Sequence, residues 1–295
     1  MASRLAFPAL LLGSGVLALG PLLVRVAPVG PMQSAFWRLG VAVIPLLLLV
    51  YLMPGQRPET RPSRGLWAGM ALAGLFFAAD LMTWHLGIVR TTIANASLFG
   101  NMASFMMMGY GVAVMGLRPT RRQAMGMGVA VIGALCLFGA SAELSLRHFT
   151  GDLLCLLAAA FYTGYLVSIA RARSALSAMA VLAGSSLAGA LAILPIVLMS
   201  PEPLVPATFE GWLPLIVLGL GGQVLGQGLI VYALAHLSPS VSGIGLLSQP
   251  VLATLIGWLA FGEVMGPLEL FGASLILLAL ISQSLPARSA RQPAE

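Results

Sequence analysis

The stretch "RTTIANASLFGNMAS" (residues 90–104) decides the fold, because it recurs in altered form as "HLSPSVSGIGLLSQP" (236–250). Both stretches open with small hydroxylated residues and then pass through glycine and an amide before the chain turns apolar. The same shift of 146 residues places the turn "MGLRP" (115–119) over "FGEVM" (261–265). The chain is therefore predicted to contain two copies of one structural unit.

Apolar runs surround both stretches and continue along the whole chain. Of the 295 residues, 59% are apolar and 8% are charged, whereas soluble domains carry about 25% charged residues. A helix needs about 20 apolar residues to cross a bilayer, and arginine, proline and acidic clusters divide the chain into ten such runs. The predicted spans are 5–24, 31–53, 65–88, 92–116, 122–140, 151–171, 176–199, 212–235, 239–261 and 266–285. These runs are roughly twice as long as transmembrane strands and lack period-two alternation. The predicted fold is an all-α membrane protein with ten transmembrane helices.

The arginines predict the orientation, because cytoplasmic loops retain them. With the N-terminus in the cytoplasm, eleven arginines fall on the cytoplasmic side and three, Arg25, Arg90 and Arg147, on the opposite side. Both termini are therefore predicted to be cytoplasmic. Five helices per half is an odd number, so the second half must be inverted relative to the first. We expect two inverted-topology repeats, residues 1–140 and 141–295, around a central cavity.

Composition argues against several other kinds of site. The net charge of +6 is scattered over short loops, so no nucleic-acid partner is expected. Cys136 and Cys155 lie inside apolar runs without neighbouring ligands, which predicts neither a metal site nor a disulfide. The first run resembles a signal peptide, but Pro21 and Arg25 stand where a cleavage motif would lie. We interpret this run as a retained helix. No cofactor is expected.

Three longer stretches carry a resemblance to a known family. They are "LGIVRTTIANASLFGNMASF" (86–105), "GLRPTRRQAMGMGVAVIGALCLFG" (116–139) and "ALAHLSPSVSGIGLLSQPVLATLIGWLAFGE" (233–263). Together they resemble the two copies of the EamA-type repeat of the drug/metabolite transporter superfamily. Within it, the run "TTIANASLFGN" resembles that of bacterial aromatic amino-acid exporters. The resemblance implies ten helices, a central cavity and export of small metabolites.

The two halves differ at positions where the family commonly has proline and an acidic residue. Pro250 and Glu263 retain this pattern in the second half. Ser104 and Leu117 replace it in the first half, so any role of a helix-four proline in motion is not carried over to the first half.

The fourth predicted span provides the first candidate site residues. Asn95 and Asn101 lie six positions apart and cannot share one narrow helix stripe, while Phe99 lies one turn after Asn95. An aromatic ring beside amides suits a cavity wall with polar and apolar contacts. Packing between helices is an equally weighted alternative for the two asparagines. Thr91 and the other small hydroxylated residues are expected to cap and pack helix starts.

Three glutamines are further candidates, and they lie in the second half. Gln223 and Gln227 lie four residues apart within "GGQVLGQG" (221–228), and Gln249 precedes Pro250. Long amides facing lipid would lack hydrogen-bond partners. We expect them to line the cavity, with interhelical hydrogen bonding as the alternative.

Asp80 is the acidic residue in the interior of a predicted span, and Trp84 lies one turn further on the same face. Charges in spans are costly and usually functional. Asp80 is also compatible with protonation, with access to water, or with pairing to Arg38 or His85.

Two aromatic residues complete the candidate set. Phe161 and Tyr165 mark one face in the middle of the sixth span. Core packing is the alternative for both. Arg38, near the outer end of the second span, is interpreted as snorkelling or as part of a structural ion pair.

No pattern in the chain indicates an enzyme or an ATP-driven pump, since nucleophile, metalloprotease and nucleotide-loop motifs are lacking. The inverted repeat favours alternating access over a channel. We therefore expect a secondary transporter that exports amino acids, aromatic ones included, across the bacterial inner membrane. Export of another small metabolite, such as a drug-like cation, is the alternative. The expected partners are the small-molecule substrate and the lipid bilayer.

Overall fold

The computed structural model describes residues 2–56, 63–91, 96, 99–141, 149–252 and 266–284. Helices occupy most of these ranges, and no strand occurs within them. The predicted all-α fold class is thereby confirmed for the described part of the chain.

The helices are numbered here in chain order. The first half contains α1 (Ala2–Leu17), α2 (Gly20–Val26), α3 (Pro31–Leu52), α4 (Arg64–Ile88), α5 (Met102–Ala113) and α6 (Arg121–Ser141). The second half contains α7 (Phe149–Ala172), α8 (Ala178–Met199), α9 (Trp212–Ile216), a π-helix (Val217–Gly226), α10 (Gln227–Leu234), α11 (Pro239–Leu246) and α12 (Pro267–Ser284). Each of the ten predicted spans contains at least part of a helix.

Among the described residues, six continuous spans are long and apolar enough to cross a bilayer. They are Leu5–Val26, Pro31–Leu52, Arg64–Ile88, Phe149–Ala172, Ala178–Met199 and Trp212–Leu234. A helix of 22 residues is about 33 Å long, slightly more than the roughly 30 Å of hydrocarbon in a bilayer. Shorter apolar helices occupy Met102–Ala113 and Leu270–Ser282. The chain is a multi-pass membrane protein, while the count of ten crossings and the cytoplasmic termini stay predictions.

Serine residues are the N-caps of three of the described helices. The hydroxyls of Ser63, Ser177 and Ser238 accept hydrogen bonds from the backbone N–H three residues later, at 3.3, 3.1 and 3.4 Å. Such caps satisfy backbone donors that the first turn of a helix leaves free. Ser238 belongs to the second copy of the repeated stretch. Its hydroxyl therefore serves to start α11.

The principal packing pairs of helices come in matched sets. The repeat equates α1 with α7, α3 with α8, α4 with the α9–π–α10 span, α5 with α11, and α6 with α12. The contact of α4 with α7 then corresponds to that of α1 with α10, and the contact of α4 with α8 to that of α3 with the π-helix. The pairs α3–α8, α5–α11 and α6–α12 are their own counterparts. Two repeats facing each other predict this pattern, and the inverted orientation stays a prediction.

Two glycines allow backbones of different helices to touch. A Cβ atom on Gly74 of α4 would lie 2.6 Å from the carbonyl oxygen of Ser185 in α8. A Cβ atom on Gly13 of α1 would lie 2.7 Å from the carbonyl oxygen of Gly226. Small residues at helix crossings are the usual way in which membrane helices pack closely. These contacts bring the halves together around the cavity described next.

Candidate functional site

A central cavity lies between helices of both halves of the chain. Its empty space amounts to about 760 Å³, counted with the part open to solvent. The lining residues are Leu17, Ala18, Pro21, Arg38, Phe77, Asp80, Leu81, Trp84, Ala96, Gly100, Asn101, Ala103, Ser104, Tyr162, Gln227, Leu246 and Gln249. The walls therefore combine apolar side chains with a small number of polar and charged groups.

Five of the residues predicted to bind substrate meet in this cavity. Asp80 and Trp84 come from α4, and Asn101 directly precedes α5. Gln227 begins α10, and Gln249 follows α11. The structure thus brings together side chains that lie up to 169 residues apart in the sequence. Their role in binding stays a prediction.

Gln223 is placed outside this lining. Its side chain is fully buried, and its Nε2 donates a hydrogen bond of 2.9 Å to the Ser186 hydroxyl on α8. This contact corresponds to the alternative interpretation of the glutamines, a hydrogen bond between helices. Gln223 and Gln227 are one turn apart. The edge of the cavity therefore lies between these two residues along the helix, with Gln227 on the cavity side.

Apart from Trp84, the aromatic residues predicted from the sequence lie outside the lining. Tyr165 is fully buried and stacks on Phe77 with ring centroids 4.3 Å apart. Phe99 packs with an apolar cluster that includes Ile88. Phe161 is partly exposed and is not a lining residue. Asn95 lies outside the described residues.

Sequence reasoning missed two important lining residues, Arg38 and Tyr162. A lone arginine inside an apolar run was a visible signal for Arg38, but the sequence does not tell whether its side chain points inward or towards the membrane surface. Tyr162 directly follows Phe161 in the sequence, so it belongs to the same aromatic part of α7. Helix phase places Tyr162 in the cavity wall, whereas Phe161 and Tyr165 lie outside it.

Tyr162 and Gln227 hold each other in place. The Nε2 of Gln227 donates a hydrogen bond of 3.1 Å to the Tyr162 hydroxyl. The ring of Tyr162 stacks on that of Tyr165, with centroids 5.8 Å apart. Because these contacts fix the side chains of α7 and α10, the cavity presents a preformed polar wall. Preorganised walls bind ligands with a smaller entropic cost.

Arg38 and Asp80 place two ionisable groups in the same cavity. The guanidinium of Arg38 lies 5.7 Å from the centre of the Phe77 ring, which is close enough for a cation–π interaction. Asp80 lies one turn after Phe77 on α4. The two groups attract each other electrostatically, but no ion pair within 4.0 Å joins them in the described part of the chain.

The sequence also matches known proteins over most of its length. The profile of the EamA-like transporter family matches residues 5–139 and, a second time, residues 149–284. The chain belongs to the EamA-like transporter family. Membership identifies it as a transporter and not an enzyme.

Individual relatives of this EamA-like transporter agree with the assignment. The pseudopaline exporter CntI of Pseudomonas aeruginosa, in each of two strains, is 26% identical over 237 residues. The match covers 80% of this chain and 81% of the relative. A solved crystal structure has a TM-score of 0.75 at 19% identity, over 98% of this chain and 99% of the other. That likeness shows the same fold.

The hydroxylated start of the repeated stretch has a structural role in the transporter. The Thr91 hydroxyl donates a hydrogen bond of 2.5 Å to Oδ1 of Asp152 at the start of α7. The guanidinium of Arg25 donates to the carbonyl oxygens of Ile88 and Thr91, each at 3.2 Å. The Arg25 bonds provide partners for a carbonyl group at the C-terminal end of α4 and for one just after it, where carbonyl groups lack intrahelical partners. The Thr91 hydroxyl therefore joins the segment after α4 to the start of α7, and its expected role as a cap of a helix start stays a prediction.

Proposed function

We propose that this transporter exports amino acids, aromatic ones included, across the bacterial inner membrane by alternating access. The observation that carries the proposal is the convergence of Trp84 and three amide side chains in one cavity between the halves. Membership of a transporter family supports movement of a small molecule through this cavity. The matched packing pairs of the helices support exchange between two orientations of the halves.

The chemistry of the cavity suits an amino acid. Such a molecule carries an ammonium group, a carboxylate and a variable side chain. Asn101, Gln227 and Gln249 offer hydrogen-bonding groups for the polar end. Trp84, together with Leu246 on the opposite half, offers an apolar wall for the side chain. A site with few polar anchors and a broad apolar wall accepts several side chains.

The name of the relatives supports a second candidate function. A protein named as the pseudopaline exporter is 26% identical to this chain over most of its length. Under this second proposal, the same cavity carries a small metabolite other than an amino acid. The amino-acid proposal predicts that the protein transports common amino acids, and the panel described next tests this.

Uptake into proteoliposomes with labelled phenylalanine, tryptophan, threonine and lysine tests the proposal. We expect uptake of several of these, and faster uptake of labelled substrate when the opposite side holds unlabelled substrate. Such counterflow distinguishes a carrier from an open channel. Absence of uptake for every amino acid, at normal protein incorporation, would refute amino-acid export.

A pair of variants tests which aromatic residue forms the wall. Trp84→Ala should slow phenylalanine and tryptophan uptake more than threonine uptake, because Trp84 lines the cavity. Phe99→Ala is the matched control, since Phe99 packs in the same apolar cluster as Trp84 but is not a lining residue. A selective loss in Phe99→Ala alone would instead assign the wall to the repeated stretch.

A further inference from the structure

The cavity contains an unusual pair of side chains, Arg38 and Asp80. Both are buried, with 5% and 8% of their surface exposed, and both line the cavity. They come from adjacent helices, α3 and α4, of the same half. Charged side chains within membrane spans are costly and are retained where they pair or bind something.

Among the described residues, neither side chain is held by a hydrogen bond or by an ion pair within 4.0 Å, although the two attract each other electrostatically. In the described ranges, Nε of Arg38 is buried without a hydrogen-bond acceptor, and no hydrogen bond or ion pair reaches the Asp80 carboxylate. The contrast with Arg25 and Asp152 is informative. Arg25 donates to two carbonyl oxygens, and Asp152 accepts from the Thr91 hydroxyl. The structural arginine and aspartate are satisfied, whereas the pair in the cavity is not.

The two charged side chains face one cavity that has room for a ligand. Phe77, Asp80 and Trp84 follow one another at spacings of three and four residues, so they lie along one face of α4. Arg38 approaches this face from α3, over the ring of Phe77. The cavity wall thus presents a cation, a carboxylate and an indole ring in that order.

We propose that Arg38 binds the carboxylate of the substrate and Asp80 binds its ammonium group, so that the site selects zwitterions. This assignment rests on the proposed export of amino acids and names the groups that recognise their common part. A zwitterion pairs both buried charges at once. A ligand with a single charge leaves one of the two side chains unpaired in a weakly polar environment, which is unfavourable.

Three related ligands test the assignment. Phenylalanine carries both charges, phenethylamine lacks the carboxylate, and 3-phenylpropionate lacks the amine. Each is titrated as a competitor of labelled phenylalanine uptake in proteoliposomes, and its binding to the purified protein is measured separately by calorimetry. For the wild-type protein we expect phenylalanine to bind at least tenfold more tightly than either analogue, since hydrogen bonds to charged groups have this order of effect.

Each variant should lose one ligand selectively. Arg38→Gln should weaken phenylalanine and 3-phenylpropionate at least tenfold and leave phenethylamine unchanged or tighter. Asp80→Asn should weaken phenylalanine and phenethylamine at least tenfold and leave 3-phenylpropionate unchanged or tighter. Arg38→Lys keeps the positive charge and should retain the preference for the zwitterion with weaker binding. Arg25→Gln, a charge removed outside the cavity, is the control and should keep the wild-type ranking.

The outcomes separate the two proposals. If the wild-type protein transports amino acids while Arg38→Gln and Asp80→Asn keep the wild-type ranking of ligands, the charge assignment is overturned and the function stands. An equal loss of all three ligands in each variant overturns the assignment too, because it indicates a structural ion pair. If no amino acid is bound or transported by the wild-type protein, the proposed function fails and the assignment fails with it. Variants that do not fold are replaced by Arg38→Lys, in which loss of the zwitterion preference contradicts the proposal.

Discussion

Two glutamines one turn apart provide a controlled comparison of binding and packing. Gln223 and Gln227 each donate one hydrogen bond to a hydroxyl group of a neighbouring helix, Ser186 and Tyr162, at 2.9 and 3.1 Å. Of the two, Gln227 lines the cavity. Replacing either by methionine keeps the length of the side chain and removes the amide. The variants Gln223→Met and Gln227→Met therefore lose the same kind of interhelical bond at different places.

The structure gives an expected magnitude for each variant. An interhelical hydrogen bond in a membrane protein contributes about 0.6 kcal/mol on average, so both variants should lose similar, small amounts of stability. Gln227→Met should in addition lose a hydrogen bond to substrate, about 0.5–1.5 kcal/mol. That loss corresponds to an apparent affinity for substrate about two- to twelvefold weaker. Gln223→Met should change the affinity by less than about twofold.

The assay is concentration-dependent amino-acid uptake in proteoliposomes, normalised to the amount of incorporated protein, with thermal unfolding in detergent measured in parallel. Similar unfolding midpoints together with a selective affinity loss in Gln227→Met would support the cavity as the binding site. Equal affinities in the two variants would refute this reasoning, because residence in the cavity wall would then have no effect on substrate.

Three further predictions concern packing and topology. Gly74→Ala should lower the unfolding midpoint, at a cost of about 1–3 kcal/mol in stability, because the added methyl group would lie 2.6 Å from a backbone oxygen. Gly69→Ala is the control and should unfold like the wild type, because a Cβ atom added to Gly69 meets nothing within 4 Å. Thr91→Val should cost about 1.5–3 kcal/mol through loss of its bond to Asp152, with the ranking of substrates unchanged in the uptake assay. A reporter active only in the cytoplasm, fused after residue 119, should give signal, and its silence would contradict the inverted repeat.

The fold class was predictable because membrane insertion depends on composition over long runs of sequence. The apolar runs were sufficient to predict an all-α membrane protein. The family was predicted from the resemblance of three longer stretches to the EamA-type repeat. The details of the wall depend on which neighbour faces each side chain. Gln223 and Gln227 share a helix face by spacing, yet Ser186 of α8 lies at the level of the first and the cavity at the level of the second.

Two other features have weak signals in the sequence. The π-helix at Val217–Gly226 has no residue pattern of its own, and such helices are rare. The position of Arg38 in the sequence was compatible with a side chain that extends to the membrane surface. Its inward position depends on α3 packing against α4 and against the π-helix, and the π-helix is distant from α3 in the sequence. Contacts of this kind cannot be inferred from the periodicity of one segment.

The central claim is that residues of both halves line one substrate cavity, and accessibility of single cysteines tests it most directly. In a background without Cys136 and Cys155, Asn101→Cys, Gln227→Cys and Gln249→Cys are each treated with a small water-soluble thiol reagent, and Gln223→Cys is the control. We expect labelling at the three cavity positions that slows when substrate is present, and no labelling at Gln223. If none of the three cavity positions is labelled, or if substrate leaves the labelling rate unchanged, the placement of the transport site in this cavity is contradicted.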